Sequence, residues 1–288
     1  MYESGVLKGL GGNMAAPECY EIWKPDNDEP WMWLEDIQGI PGRDWTMKQF
    51  AAMARHFGAM QGAFASNPMP DQDWLDTTKR VRTGHDNLVQ KMDAMLEEFK
   101  AHELTGKLMA GEFGKRLLKL WSKKDIFLKA YYNAPRTLMH GDFCTGNLFS
   151  RKDRDGNDQT VAIDWQYSGI TAVGTDMGGL IADRSAVTGG PKKMEPEEFT
   201  PLMMDAYLAG FKEGGWQGNL QKIRLATYCI LVIPWGVCAA LGLQGKVIKA
   251  DITGANREKA EERLEWYIRD QEYLFTLADE ASNIMKAG

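Results

Sequence analysis

An α+β fold, largely helical with only a few short strands, is what this sequence predicts, and three observations carry the prediction. Near the N-terminus two aromatic-rich segments flank a turn-forming run, the pattern of a β-hairpin. From Thr46 onward most of the chain repeats apolar residues at helical spacing. Midway, a second hairpin interrupts the helices and draws His140-Gly141-Asp142-Phe143-Cys144-Thr145-Gly146-Asn147 towards Ile163-Asp164-Trp165.

The elements follow in order. Tyr2 to Lys8 reads as the end of a helix, and Gly9-Leu10-Gly11-Gly12 as the turn after it. Tyr20–Trp23 and Trp31–Glu35 read as strands joined by Lys24-Pro25-Asp26-Asn27-Asp28-Glu29-Pro30, with Trp31 and Trp33 on one face and Met32 and Leu34 on the other. Met47, Phe50, Ala54, Phe57 and Phe64 form a stripe that ends before Pro68. Leu88, Met92, Met95, Leu96 and Phe99 make a second helix, and Phe113, Leu117, Leu120, Trp121 and Phe127 a third that stops before Pro135. Arg136–Met139 is an extended approach to His140, and Leu148–Ser150 pairs with Val161–Ile163 around Asp155-Gly156-Asn157. Helices resume after Asp176, through Phe199–Phe211, Leu220–Leu243 and Arg257–Ile284, the last with Leu264, Ile268, Phe275 and Ala278 inward. Thr188–Lys193 is the expected flexible loop of this region.

Composition excludes several classes. A net charge of -6 and the lack of any long basic run argue against a nucleic-acid partner. Cys19, Cys144, Cys229 and Cys238 form no CxxC pair among only four histidines, so neither a zinc site nor a disulfide framework is indicated, and reduced thiols fit a cytoplasmic setting. Met1-Tyr2-Glu3-Ser4 lacks the charged and apolar regions of a signal peptide. Thr227–Leu243 is uncharged and approaches the length of a membrane span, but Pro234 and its amphipathic neighbours favour a kinked, buried core helix.

The chemistry sits in the middle hairpin. Asp142 is placed to orient or accept the proton of an attacking hydroxyl. Asn147 and Asp164 supply hard oxygen donors suited to Mg²⁺ beside nucleotide phosphates, so phosphoryl transfer is the leading reading. Each residue alone has a plainer explanation, since Asp and Asn form turns. Their convergence, with Asp176 in Gly174-Thr175-Asp176-Met177-Gly178, is what favours a site. His140 and Asp176 read as structural supports of the loop rather than as base or ligand.

HGDxxxxN, then IDW, then GxDxxxL resembles the aminoglycoside phosphotransferase and choline kinase-like family, relatives of protein kinases. Ala16-Pro17-Glu18-Cys19-Tyr20 and Trp33-Leu34-Glu35-Asp36-Ile37 resemble that family's approach to the interlobe hinge. The resemblance implies a protein-kinase-like fold, with residues 1–37 as the remnant of a nucleotide lobe and hinge and 38–288 as a complete helical lobe. It implies Asp142 as catalytic base, Asn147 and Asp164 as Mg²⁺ ligands, backbone groups from Glu35 to Ile37 against adenine, and Ile163 near the adenine floor. The cofactors are then Mg²⁺ and ATP or GTP. The partner is a small-molecule hydroxyl acceptor, aminoglycoside- or choline-like by the excess of acidic residues, with no nucleic acid and no membrane. Cys144-Thr145 departs from the family's usual filler and makes Cys144 a thiol handle.

The family's nucleotide lobe holds roughly one hundred residues with a phosphate-covering loop, a strand lysine and a helix glutamate. Here the hinge comes soon after Met1. Gly9–Gly12 reads as a turn rather than a phosphate loop, Lys24 as an exposed turn residue, and Glu3 as a solvated residue with no lysine to pair with. The expectation is a gene start about 60 to 80 residues upstream, and a chain that binds ATP weakly and self-associates through exposed Trp31 and Trp33. The rivals are a non-catalytic kinase-like binding protein, and a metal-dependent hydrolase using Asp142, His140 and Asp164, disfavoured by its single histidine.

Overall fold

The structure is a computed structural model that describes residues 1–26, 29–67, 73–183, 194–249 and 253–287, so the loop expected at Thr188–Lys193 lies outside the described residues. The N-terminal stretch is not one helix end but two 3-10 turns, Tyr2–Ser4 and Val6–Gly9, separated by Gly5 at φ 76°. A left-handed residue there stops helix propagation. Val6, Leu7, Leu10 and Met14 nevertheless enter the same buried core as the helices.

Strand β1 (Met14–Ala15) was not foreseen, being only two residues long. The expected hairpin is β2 (Cys19–Trp23) and β3 (Trp31–Leu34), paired Glu21 to Trp33 and Trp23 to Trp31. Trp31 and Trp33 share a face, their rings 6.5 Å apart. Most of the hairpin's large apolar residues are in solvent, with Trp31 59% and Trp33 46% exposed.

After β4 (Ile40–Pro41) comes helix α1 (Met47–Ser66), begun by Gln49 Oε1 accepting the Thr46 N–H at 2.9 Å. Its buried face is Phe50, Met53, Ala54, Phe57, Met60 and Gln61, whereas Met47 at the first turn stays outside. Helix α2 (Thr78–Ala101) buries Met92, Met95, Leu96 and Phe99. The single helix expected over Phe113–Phe127 is in fact two, α4 (Glu112–Trp121) and α5 (Lys124–Tyr132), preceded by an unforeseen α3 (Glu103–Ala110). The break falls at Ser122-Lys123, where the apolar stripe continues in phase although the backbone turns, so periodicity alone conceals it.

Strands β5 (Arg136–Met139), β6 (Leu148–Lys152), β7 (Asp158–Ala162) and β8 (Gly169–Ala172) make the centre. One sheet runs β1-β7-β6-β4, with β1 parallel to β7 and the other pairs antiparallel, and β5 pairs antiparallel with β8. All four residues of β8 are buried, so they show none of the alternation that marks a strand in sequence.

Helices α6 (Thr175–Asp183), α7 (Pro196–Glu213), α8 (Leu220–Ile230) and α9 (Ala255–Ala287) complete the chain. Helices α1 and α7 approach at backbone distance: a Cβ on Gly62 would lie 2.2 Å from Phe211 O, and one on Gly210 2.0 Å from Arg55 O. Beyond α8 the chain stays coiled, but as a π turn at Leu231–Gly236 containing Pro234, then 3-10 and π turns to Ile248. Proline has no N–H to continue the ladder, and α9 satisfies the carbonyls nearby. Gln271 Nε2 donates to Gly236 O at 3.0 Å and Tyr267 Oη to Val237 O at 3.3 Å. Leu220–Ile248 is long and apolar enough to cross a membrane, yet 72% of its most apolar window is buried within the fold. In α9 Tyr267 is fully buried, and Ile268, as expected, packs against the core, though only partly buried.

Candidate active site

Strand β5 delivers His140 to the centre and is fixed from α1. Gln61 Nε2 donates to Leu138 O at 2.9 Å, and Thr137 Oγ1 to Gln61 O at 2.8 Å. His140 is fully buried, its ring 4.5 Å from that of Trp165. Nε2 donates to Ile163 O at 2.8 Å while Nδ1 accepts the Asp142 N–H at 3.2 Å. A carbonyl can only accept and an N–H can only donate, so both ring nitrogens are assigned and the neutral ring is required. Burial pushes its pKa down to about 4.

Gly141, at φ 89°, leaves no room for a side chain, because a Cβ would lie 2.3 Å from Tyr167 O. Asp142 follows, half-buried. Asn147 Nδ2 donates to both the backbone carbonyl and Oδ2 of Asp142, each at 2.9 Å. The Asn147 carbonyl oxygen is thereby turned away from Asp142, and one carboxylate oxygen of Asp142 is left for another donor. The β6–β7 pairing extends to Ile163 N–H donating to Asn147 O at 2.9 Å, which sets Asp164 beside Asn147. Asp164 is exposed at φ 62°, a strained conformation for a residue with a Cβ. Among the described residues, the hydrogen bond to its carboxylate is a weak 3.5 Å approach of Gln166 Nε2.

The loop is anchored at both ends by α6. Asp176, buried, accepts the His140 and Gly141 N–H groups at 2.9 Å each. Burial pushes its carboxyl up to about 6, against the pull of those two donors. At the other end of α6, Asp183 Oδ2 accepts the Thr145 N–H at 3.1 Å and its hydroxyl at 2.9 Å. Sequence reasoning missed Asp183. Its signal was the spacing, since residues seven apart share a helix face.

The structure thus brings together His140, Asp142, Asn147, Ile163, Asp164 and Asp176. Glu35 and Ile37 lie apart from that cluster, along the segment entering β4, which pairs with β6 at Phe149 and Ser150. The Glu35 N–H is taken by Glu18 O at 2.8 Å and its carboxylate by Arg151 at 2.5 Å, so only its carbonyl remains for a ligand. Ile37 and Ile163 are half-buried. Glu3 is not a lone solvated residue, as the sequence reading had it. It pairs with Lys24 at 2.8 Å, both side chains about 60% exposed. Cys144 is half-buried, and burial raises its thiol pKa, which lowers its reactivity.

Mg²⁺ fits this donor set. Asn147 and Asp164 offer two hard oxygens, and the described residues contain no cluster of three acidic, histidine or cysteine side chains that would indicate another metal. Two clefts between α1 and the β6–β7 hairpin, about 660 and 750 Å³, include none of the loop's residues, so chemistry rather than volume locates the site.

No curated protein matches the sequence. Among solved structures the chain is similar to an ethanolamine kinase from Plasmodium vivax, at 13% identity and TM-score 0.45, covering 95% of this chain and 70% of that one. A choline kinase from Cryptosporidium parvum is similar at 18% identity and TM-score 0.45, covering 95% and 78%. The GDP complex of an aminoglycoside 2'-phosphotransferase-IIIa mutant is similar at 14% identity and TM-score 0.46, covering 96% and 82%. The model of the phosphotransferase enzyme family matches residues 3–218, well over half of the chain. A loop pinned by both ends of one helix, a carboxylamide held against a carboxylate and the family match agree: the chain belongs to the phosphotransferase enzyme family and has its kinase-like α+β fold.

Proposed function

We propose that this chain transfers the terminal phosphoryl group of ATP or GTP, with Mg²⁺, to a hydroxyl of a small molecule. The observation that carries the reading is the Asn147 side chain, whose nitrogen is committed to Asp142, leaving its oxygen without a hydrogen bond among the described residues, on a backbone that the Ile163 N–H ties next to Asp164. Asn147 and Asp164 would hold the metal, which would supply positive charge against the nucleotide's phosphates. Asp142 would orient the acceptor hydroxyl and take its proton through the oxygen that Asn147 leaves open. His140 and Asp176 would hold the loop in register, and the carbonyl of Glu35 with the Ile37 backbone and the Ile163 side chain would meet the base of the nucleotide. Acidic residues outnumber basic ones 40 to 34, which favours an amine-bearing alcohol, aminoglycoside- or choline-like, as acceptor.

A second reading, a non-catalytic nucleotide-binding protein, is favoured by one observation. The charge of Lys24 is already taken up by Glu3 in the exposed hairpin, and so is not free to neutralise a transferring phosphate. Two variants separate the readings. Asp164→Ala should abolish Mg²⁺-dependent binding of AMP-PNP in calorimetry. Asp142→Asn should keep that binding and lower turnover, over a panel of hydroxylated amines, by about 10²- to 10⁴-fold. Binding without turnover in the unaltered chain would select the non-catalytic reading, and Mg²⁺-nucleotide binding that survives Asp164→Ala would overturn the metal assignment.

A further inference from the structure

Between β4 and α1 the chain makes a 3-10 turn, Gly42–Asp44, that lies against the loop carrying Asp142. Gly42 is buried, and a Cβ there would stand 2.6 Å from Thr145 O and 3.3 Å from Leu148 O, so only glycine allows the approach. The turn is locked from behind by Trp45, 1% exposed, whose indole N–H donates to Ile40 O at 2.9 Å and whose backbone N–H donates to Gly42 O at 3.3 Å. What the turn presents is Arg43. Its guanidinium nitrogens lie 3.3 and 4.0 Å from the place where Gly146 would carry a Cβ, and Cys144 Sγ lies 3.8 Å from the same place. A Cβ at 146 would be tight only against the flexible end of Arg43, and the guanidinium thus lies over the loop, one residue from Asn147.

Arg43 is exposed and has no carboxylate partner among the described residues, although Arg55, Arg116, Arg151 and Arg257 each hold one. The loop it lies over carries the opposite charge: Cys144, beside the guanidinium, feels the carboxylates of Asp142 and Asp183. A polyanionic substrate meets such a set of carboxylates only if cations offset them. A guanidinium presents a permanent charge and a fork of donors that matches phosphate or carboxylate oxygens two at a time.

We infer that Arg43 grips anionic oxygens of the substrate on the open side of the loop, within reach of whatever Asp142 and Asn147 hold. The chemical class is phosphate-like, supplied either by the nucleotide's terminal phosphate or by an anionic group on the acceptor. The inference rests on the phosphotransferase reading, and its test separates the two.

The experiment uses the full chain with Mg²⁺ and the variants Arg43→Ala, Arg43→Lys and, as a control on the same segment, Lys48→Ala. Calorimetry reads AMP-PNP against ADP, steady-state kinetics read the KM of nucleotide and of acceptors with and without an anionic group, and the Gly146 amide resonance reads added pyrophosphate. Arg43→Ala should abolish the pyrophosphate response at Gly146 and weaken one partner by about tenfold, with partial rescue by lysine and no change in the control. A loss confined to AMP-PNP assigns the contact to the nucleotide's terminal phosphate. A raised KM confined to anionic acceptors assigns it to the acceptor. Pyrophosphate that leaves Gly146 undisturbed in the unaltered chain, or an Arg43→Ala chain indistinguishable from the Lys48→Ala control, overturns the inference. Failure of nucleotide binding with the pyrophosphate response intact would instead sink the phosphotransfer reading alone.

Discussion

His140 shows how a buried side chain can order a loop through backbone contacts alone. Both of its ring nitrogens are occupied by backbone groups, so a second proton would set N–H against the N–H of Asp142. His85, buried beside Tyr132, is pushed down to about 4 by the same desolvation. A histidine depressed on folding stabilises the fold above its ordinary value of 6.5, and that stability is lost as pH falls towards 4. Asp176 acts oppositely, because a raised carboxyl favours the fold below its ordinary value and loses that benefit as pH rises through about 6. Two histidines outweigh one carboxyl. Stability by urea titration should therefore be about 2 kcal/mol lower at pH 5 than at pH 7, and His85→Gln should flatten the slope. A slope of the opposite sign would mean that the histidines remain hydrated.

Helices α1 and α7 owe their contact to what is missing from them. With a Cβ on Gly62 only 2.2 Å from Phe211 O, alanine there must push the helices apart, and Gln61, which ties α1 to β5, would move with them. Gly62→Ala should cost roughly 2 kcal/mol or more in chemical denaturation, within the range for overpacking a close contact. A loss below about 0.5 kcal/mol would show that the pair can shift freely. The sequence made α1 legible through its apolar stripe but gave no warning of this contact, because closeness between two helices is a property of the pair. The same holds for β5 and β8, whose pairing joins residues thirty or more apart in sequence. In contrast Asp142, Asn147 and Asp164 could be read directly: a tight loop and a hairpin assemble them from neighbouring residues, so spacing carries the geometry. Asp183 escaped notice because its partner, Thr145, is reached only through the packing of α6, and the Glu3–Lys24 pair because it joins the first turn to the far end of a hairpin.

Across the full chain, apolar surface is unevenly covered. The helical region leaves large apolar side chains such as Trp74, Ile126 and Trp235 exposed only singly, while Tyr20, Trp23, Trp31, Met32 and Trp33 gather in solvent on a two-stranded sheet that, among the described residues, pairs with no further strand. Open edges and clustered aromatics favour association. We expect sedimentation to show self-association that grows with concentration and weakens in the double variant Trp31→Ser, Trp33→Ser, with the thermal transition of the helical region little changed. A chain that stays monomeric at every concentration would dismiss the idea.

Helix α6 has a consequence of its own. Its two anchoring carboxylates, Asp176 and Asp183, stand seven residues apart, about 10 Å along the axis and on nearly the same side. The helix is therefore a gauge block for the loop it carries: it sets the distance from the His140–Gly141 end to Thr145, and with it the span between Asp142 and Asn147. A block of this kind tolerates exchange of its inward side chains, but one residue inserted or removed would swing one anchor by about 100° and leave half the loop unmoored.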